Sequence, residues 1–105
     1  MDDPNQIEVP PSFLALFTSP SGRLTETMHA VRQRYELCED LAQMLTDQAS
    51  TALFKSGGTE RAVLDQIEIG LAGEGSPVQP AEATWVATRL AELLGWERPT
   101  SSTLP

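Results

Sequence analysis

The sequence predicts an all-α fold, a small bundle of about four helices: a short N-terminal helix, one long helix and two shorter ones. Three observations predict it. Apolar or small residues at Met28, Val31, Tyr35, Cys38, Ala42, Leu45, Ala49 and Ala52 alternate spacings of three and four, the mark of one helical face. Apart from Gly70, prolines and glycines fall at or beyond the ends of the helical runs rather than inside them. No segment alternates apolar and polar residues in the manner of a strand.

In chain order, Met1 to Gln6 is polar, contains Pro4 and lacks periodicity, so residues 1–6 are expected to form a flexible tail. The stretch IEVPPSFLALFTSP follows. Pro10 and Pro11 suit a helix start, Ser12 is a candidate cap, and Thr18-Ser19-Pro20-Ser21-Gly22 ends the segment with turn residues. Its apolar knot has two readings, closure of the protein's own core or grip on a partner. Core closure is the favoured one, because large exposed apolar patches are uncommon on monomers. If exposed, Phe13, Leu14, Leu16 and Phe17 become partner-binding candidates.

The long helix is expected from about Thr25, as cap, to Lys55, with Leu37, Leu41, Met44 and Leu53 widening its stripe and Ser56-Gly57-Gly58 stopping it. Unbroken, it is ~45 Å long at 1.5 Å per residue, against a radius of gyration near ~13 Å for a domain of this size. It either bends near Thr46 to Ser50 or packs on something beyond one chain, and self-association through it is one partner expectation. The third helix starts at Thr59, presents Val63, Leu64, Ile67 and Leu71, and closes at Gly73-Glu74-Gly75. Gly70 within it costs ~1 kcal/mol against Ala, a cost that close packing of another helix would explain. In the fourth, Pro80 takes the first position and Glu82 the first turn. Val86, Leu90, Leu93 and Leu94 form the stripe, and Gly95 with Trp96 fits a Schellman-type ending before Pro99. The length suits a single helical domain over residues 7–98, with a second tail over 99–105.

With 15 acidic and 7 basic residues the formal charge is −8, which argues against nucleic acid and anionic membranes and favours basic or neutral partners. The acidic start is unlike a secretory signal, no run approaches the ~18 apolar residues of a membrane span, and the single Cys38 forms no internal disulfide. A cytoplasmic protein is the expectation.

Catalytic chemistry is sparse. His29 and Cys38 lie about half a rotation apart on one helix and make no nucleophilic pair. Cys38 on the stripe reads as a small buried hydrophobe. Glu36, Glu39 and Asp40 cluster, but no Glu-x-x-His pair accompanies them, so they read as a solvated face or a docking patch for a basic surface. Lys55-Ser56 resembles the end of a phosphate-binding loop, yet Phe54 and Ala49 stand where that motif needs glycine. GLAGEG opens no strand-to-helix turn. Trp85, at the edge of a stripe, is either half-buried or a partner anchor. No catalytic, cofactor or metal residue is assigned. An interaction or adaptor module is therefore the leading expectation, with a helical ligand binder or minor enzyme, its pocket near Tyr35 and Glu36, as the alternative.

VPPSFLALF, RQRYELCEDLAQML and ATRLAELLGW together resemble a group of short bacterial all-helical proteins, some described as ATPases with chaperone activity. The resemblance runs from Val9 to Trp96. It implies a role as accessory to a chaperone ATPase, since this chain itself has no nucleotide-binding motif.

Overall fold

A computed structural model describes residues 8–96, which form helices and connecting turns. The expected tails over residues 1–6 and 99–105 lie outside the described residues, as does Pro99. The elements are α1 (Pro11–Leu14), a 3-10 turn (Ala15–Phe17), α2 (Met28–Ser56), α3 (Glu60–Ala72) and α4 (Pro80–Leu94). Among the described residues the fold is a small all-α bundle, and the one extended pairing is an isolated bridge between Thr18 and Leu24. The chain divides into two compact units, Met1–Leu37 and Cys38–Pro105, the boundary falling inside α2.

In the first unit, Pro11 takes the first helical position and the Pro10 carbonyl accepts from the Phe13 and Leu14 amides, both at 3.0 Å. Ser12 therefore lies inside α1, and Pro10 rather than Ser12 is the cap residue. Phe13 is fully buried, its ring 5.5 Å from that of Phe17 and 5.6 Å, edge-on, from that of Tyr35. After the 3-10 turn, Gly22 takes a left-handed conformation at φ 90°, and the Ser19 amide donates to the Arg23 carbonyl at 2.7 Å. Thr25 is not the cap of α2. Its amide and hydroxyl both donate to the Phe17 carbonyl, at 2.7 and 3.2 Å, tying the loop back to α1's side of the unit. The cap is Thr27, whose hydroxyl accepts from the Ala30 amide at 3.1 Å.

α2 is one continuous helix with no break near Thr46 to Ser50. Gly57, left-handed at φ 65°, stops it, and its amide donates to the Leu53 carbonyl.

The second unit takes the C-terminal part of α2 together with α3 and α4. Thr59 caps α3 by accepting from the Ala62 amide at 3.0 Å. α4 begins with Pro80, and the Glu82 carboxylate reaches back to accept from the Gln79 amide at 2.9 Å. That contact explains how an acidic side chain only 3 % exposed is tolerated at a helix start. α4 ends in a Schellman motif, with Gly95 at φ 71° and the Trp96 amide donating to the Ala91 carbonyl at 2.8 Å. A core cluster gathers Ala49 of α2, Val63 and Leu64 of α3, and Leu90 and Ala91 of α4. Leu45, Leu53, Ile67, Leu94 and Trp96 pack around it. Among the described residues no helix is long and apolar enough to cross a membrane.

Candidate functional site

The residues singled out as partner-binding candidates fall into different surroundings. Phe13 is inside the first unit and offers nothing to a partner, whereas Leu14, Leu16 and Phe17 are half-buried. Leu14 borders a shallow depression with Val9, Pro11, Ala15 and Thr18. Trp85 is half-buried, Glu36 and Asp40 are exposed, and Glu39 is largely covered. Cys38 is fully buried. Tyr35 is half-buried with its ring against Phe13.

Glu39 is held by a residue that helical spacing within α2 does not reveal. Arg89 of α4 grips it in a two-pronged contact, Nε to Oε1 at 2.9 Å and Nη2 to Oε2 at 3.1 Å, while Gln43 donates to Oε2 at 2.9 Å. The remaining Nη1 of Arg89 donates to Glu92 at 3.0 Å. The Arg89 hydrogen bond holds the Glu39 carboxyl below the usual carboxylate range, against the opposing effect of burial, with Gln43 adding to the lowering. Reciprocally, the Glu39 hydrogen bond and then the Glu92 contact push the Arg89 guanidinium further above its already high range. Nε and Nη2 of Arg89 and both carboxylate oxygens of Glu39 are engaged across α2 and α4, and Nη1 is engaged within α4. This is a clasp within the second unit. Among the described residues no group of three or more His, Cys, Asp or Glu side chains is placed to hold a metal ion.

The feature open to an incoming group lies between α2 and α3. Leu45, Gln48, Ala52 and Ser56 of α2 face Ala62, Val63, Gln66, Ile67, Gly70 and Leu71 of α3 across a groove of about 490 Å³. It exists because α3 packs more extensively along α4 than along α2, leaving the α2–α3 side of the hairpin splayed. Gly70 contributes directly. A methyl group there would meet nothing within 4 Å, so the glycine is not a site of close helix packing as its position suggested; it widens the groove. None of the lining residues is charged, although 21 % of the chain is. Two apolar side chains beside the groove are largely in solvent, Met44 at 73 % and Ile69 at 64 % exposed. At 100° per residue Met44 sits ~40° around α2 from Gln48, and Ile69 ~60° around α3 from Gln66. Met44 thus belongs to the open rim and not to the buried stripe.

Phe54 is also exposed, at 89 %, but it lies ~120° around α2 from Gln48, away from the groove. The sequence signal that could have located the groove is the run of uncharged residues at helical spacing on both arms of a glycine-linked hairpin, with Gly70 among them. No protein-family model, no curated protein and no solved structure matches the chain.

Proposed function

We propose that this chain is a protein–protein interaction module that binds a polypeptide along the α2–α3 groove. The observation that carries the proposal is the uncharged, mostly apolar lining of that groove, with Met44 and Ile69 exposed beside it. Apolar surface left in water is unfavourable by roughly 25 cal/mol per Å², and a partner that covers it recovers that free energy. Gln48, Ser56 and Gln66 supply neutral hydrogen-bonding groups suited to the backbone or polar side chains of a chain lying in the groove. The half-buried Leu14, Leu16 and Phe17 are secondary, because Phe13 behind them is already satisfied inside its own unit.

The test is a double variant, Met44→Glu with Ile69→Glu. Both side chains are exposed, so the fold should be unaffected and the circular-dichroism melting curve unchanged within about 0.5 kcal/mol. The wild-type chain should be recovered from cross-linked cell extract in a discrete larger species, with itself or with another protein, and the variant should not. An unaltered set of cross-linked species would contradict the proposal.

A further inference from the structure

The shape and chemistry of the groove define the kind of polypeptide that fills it. We infer that its occupant is an amphipathic α-helix of about three turns, with an uncharged stripe towards the groove and basic residues towards solvent. This rests on the interaction-module reading and names the class of its partner.

Three observations lead to a helix. The first is spacing. The α2 wall recurs at Leu45, Gln48, Ala52 and Ser56, and the α3 wall at Ala62, Gln66 and Gly70 beside Val63, Ile67 and Leu71, so both advance by three or four residues. Such rows are the ridges and grooves into which a third helix packs. At 1.5 Å per residue the α2 wall is ~16 Å long, the length of about eleven helical residues. The second is backbone hydrogen bonding. Both walls are helices with their own peptide groups paired along their length, and the polar side chains of the lining are Gln48, Ser56 and Gln66. An extended segment ~16 Å long holds about ten backbone donors and acceptors, pointing alternately at the two walls. Three side chains do not satisfy them, and the walls offer no strand edge. A helix satisfies its own. The third is the rim. The turn after Ser56 sends α3 back alongside α2, so Met44 beside Leu45 and Ile69 beside Gly70 stand at the same end of the groove, one on each wall. A small molecule seated between the walls leaves both in water. A helix, ~10 Å across with its side chains, covers both.

Charge distinguishes the two sides of that helix. The lining is uncharged, and a charge buried against it without a partner is costly, so the contact stripe is uncharged too. Residues 38–72, which form the two arms, hold six acids against two bases, Lys55 and Arg61, and the chain carries −8 overall. Arg89 offsets one of those acids, Glu39. The remaining field draws in a basic helix and repels an acidic one.

The test is selection of a displayed library of random peptides of about 16 residues on the full chain, long enough to span the groove with frayed ends. Synthetic copies of the enriched peptides are then measured by fluorescence anisotropy and far-UV circular dichroism. They should carry apolar residues at helical spacing and a net positive charge, and should gain helical signal on mixing with the chain. Met44→Glu with Ile69→Glu should weaken their binding about tenfold or more, and so should a proline at the centre of the peptide. Gly70→Leu, which places a side chain in the open space beside Gly70, should weaken it as well. Phe54→Ser, on the other side of α2, should leave it unchanged. Peptides that need the groove yet bind without gaining helix, or that are acidic, overturn the helical occupant and leave the interaction reading in place. Enriched peptides all indifferent to the Met44, Ile69 and Gly70 changes, or lost with Phe54→Ser, also overturn the inference. The interaction reading fails separately, when the cross-linked species from cell extract are the same for the wild type and for Met44→Glu with Ile69→Glu.

Discussion

Phe13 and Glu39 show how single residues stabilise the two units by different means. Phe13 is wholly out of solvent between the rings of Phe17 and Tyr35, so Phe13→Ala should lower stability by ~3–5 kcal/mol, read as a fall in the urea midpoint. That is a large share of the ~5–15 kcal/mol typical of a folded domain. Glu39 acts through charge. Its folded-state pKa lies below its unfolded value, so its contribution is present in full above the ordinary carboxylate pKa of about 4 and is lost as pH falls through the lower folded value. Arg89 remains a cation across this window and adds no pH dependence of its own. With the Arg89 side chain a third exposed and Glu39 a fifth, solvent screening limits the effect to about 1 kcal/mol. Urea titrations at pH 7 and pH 3 should show that Glu39→Gln removes part of the acid destabilisation seen in the wild type. An identical pH profile for the variant would show that the clasp contributes nothing to stability.

At the scale of elements, caps and glycines make opposite predictions. Thr59→Ala removes the acceptor for the Ala62 amide and should cost ~1 kcal/mol. Gly95→Ala forces a side chain into a left-handed residue and should cost a similar ~1 kcal/mol. Gly70→Ala should instead stabilise the dilute chain by ~0.5–1 kcal/mol, because it is a helix-interior glycine whose added methyl meets open space. Thermal melts at low concentration check all three. The starts and stops of α3 and α4 were legible in the sequence because each depends on local chemistry: Thr59, Pro80 and Gly95 act within a turn of themselves. The start of α2 was not, since Thr25 and Thr27 are equally good caps by type and only the Phe17 carbonyl, far back in the chain, takes Thr25 out of contention. Gly70 misled for a similar reason. A helical glycine is compatible with close approach or with open space, and the packing of α3 on α4 decides between them.

For the whole molecule, the all-α class followed from periodicity, whereas the candidate site did not. Phe13, Leu14, Leu16 and Phe17 stood out by density of apolar residues, but density alone does not say which side chains the fold encloses. The groove is assembled from residues that are individually ordinary, such as Ala52, Gln66 and Gly70, and becomes visible only when two helices set them face to face. Its meaning rests on a contrast, a charge-free face on a chain of net charge −8. The most direct test of that face as the contact surface is the amide spectrum of the isotope-labelled chain with and without unlabelled cell extract. The account predicts changes on adding extract that cluster on Leu45, Gln48, Ala52, Gln66, Gly70 and Leu71. A spectrum that extract leaves unchanged, or changes around Phe54 or Phe17 instead, would contradict it.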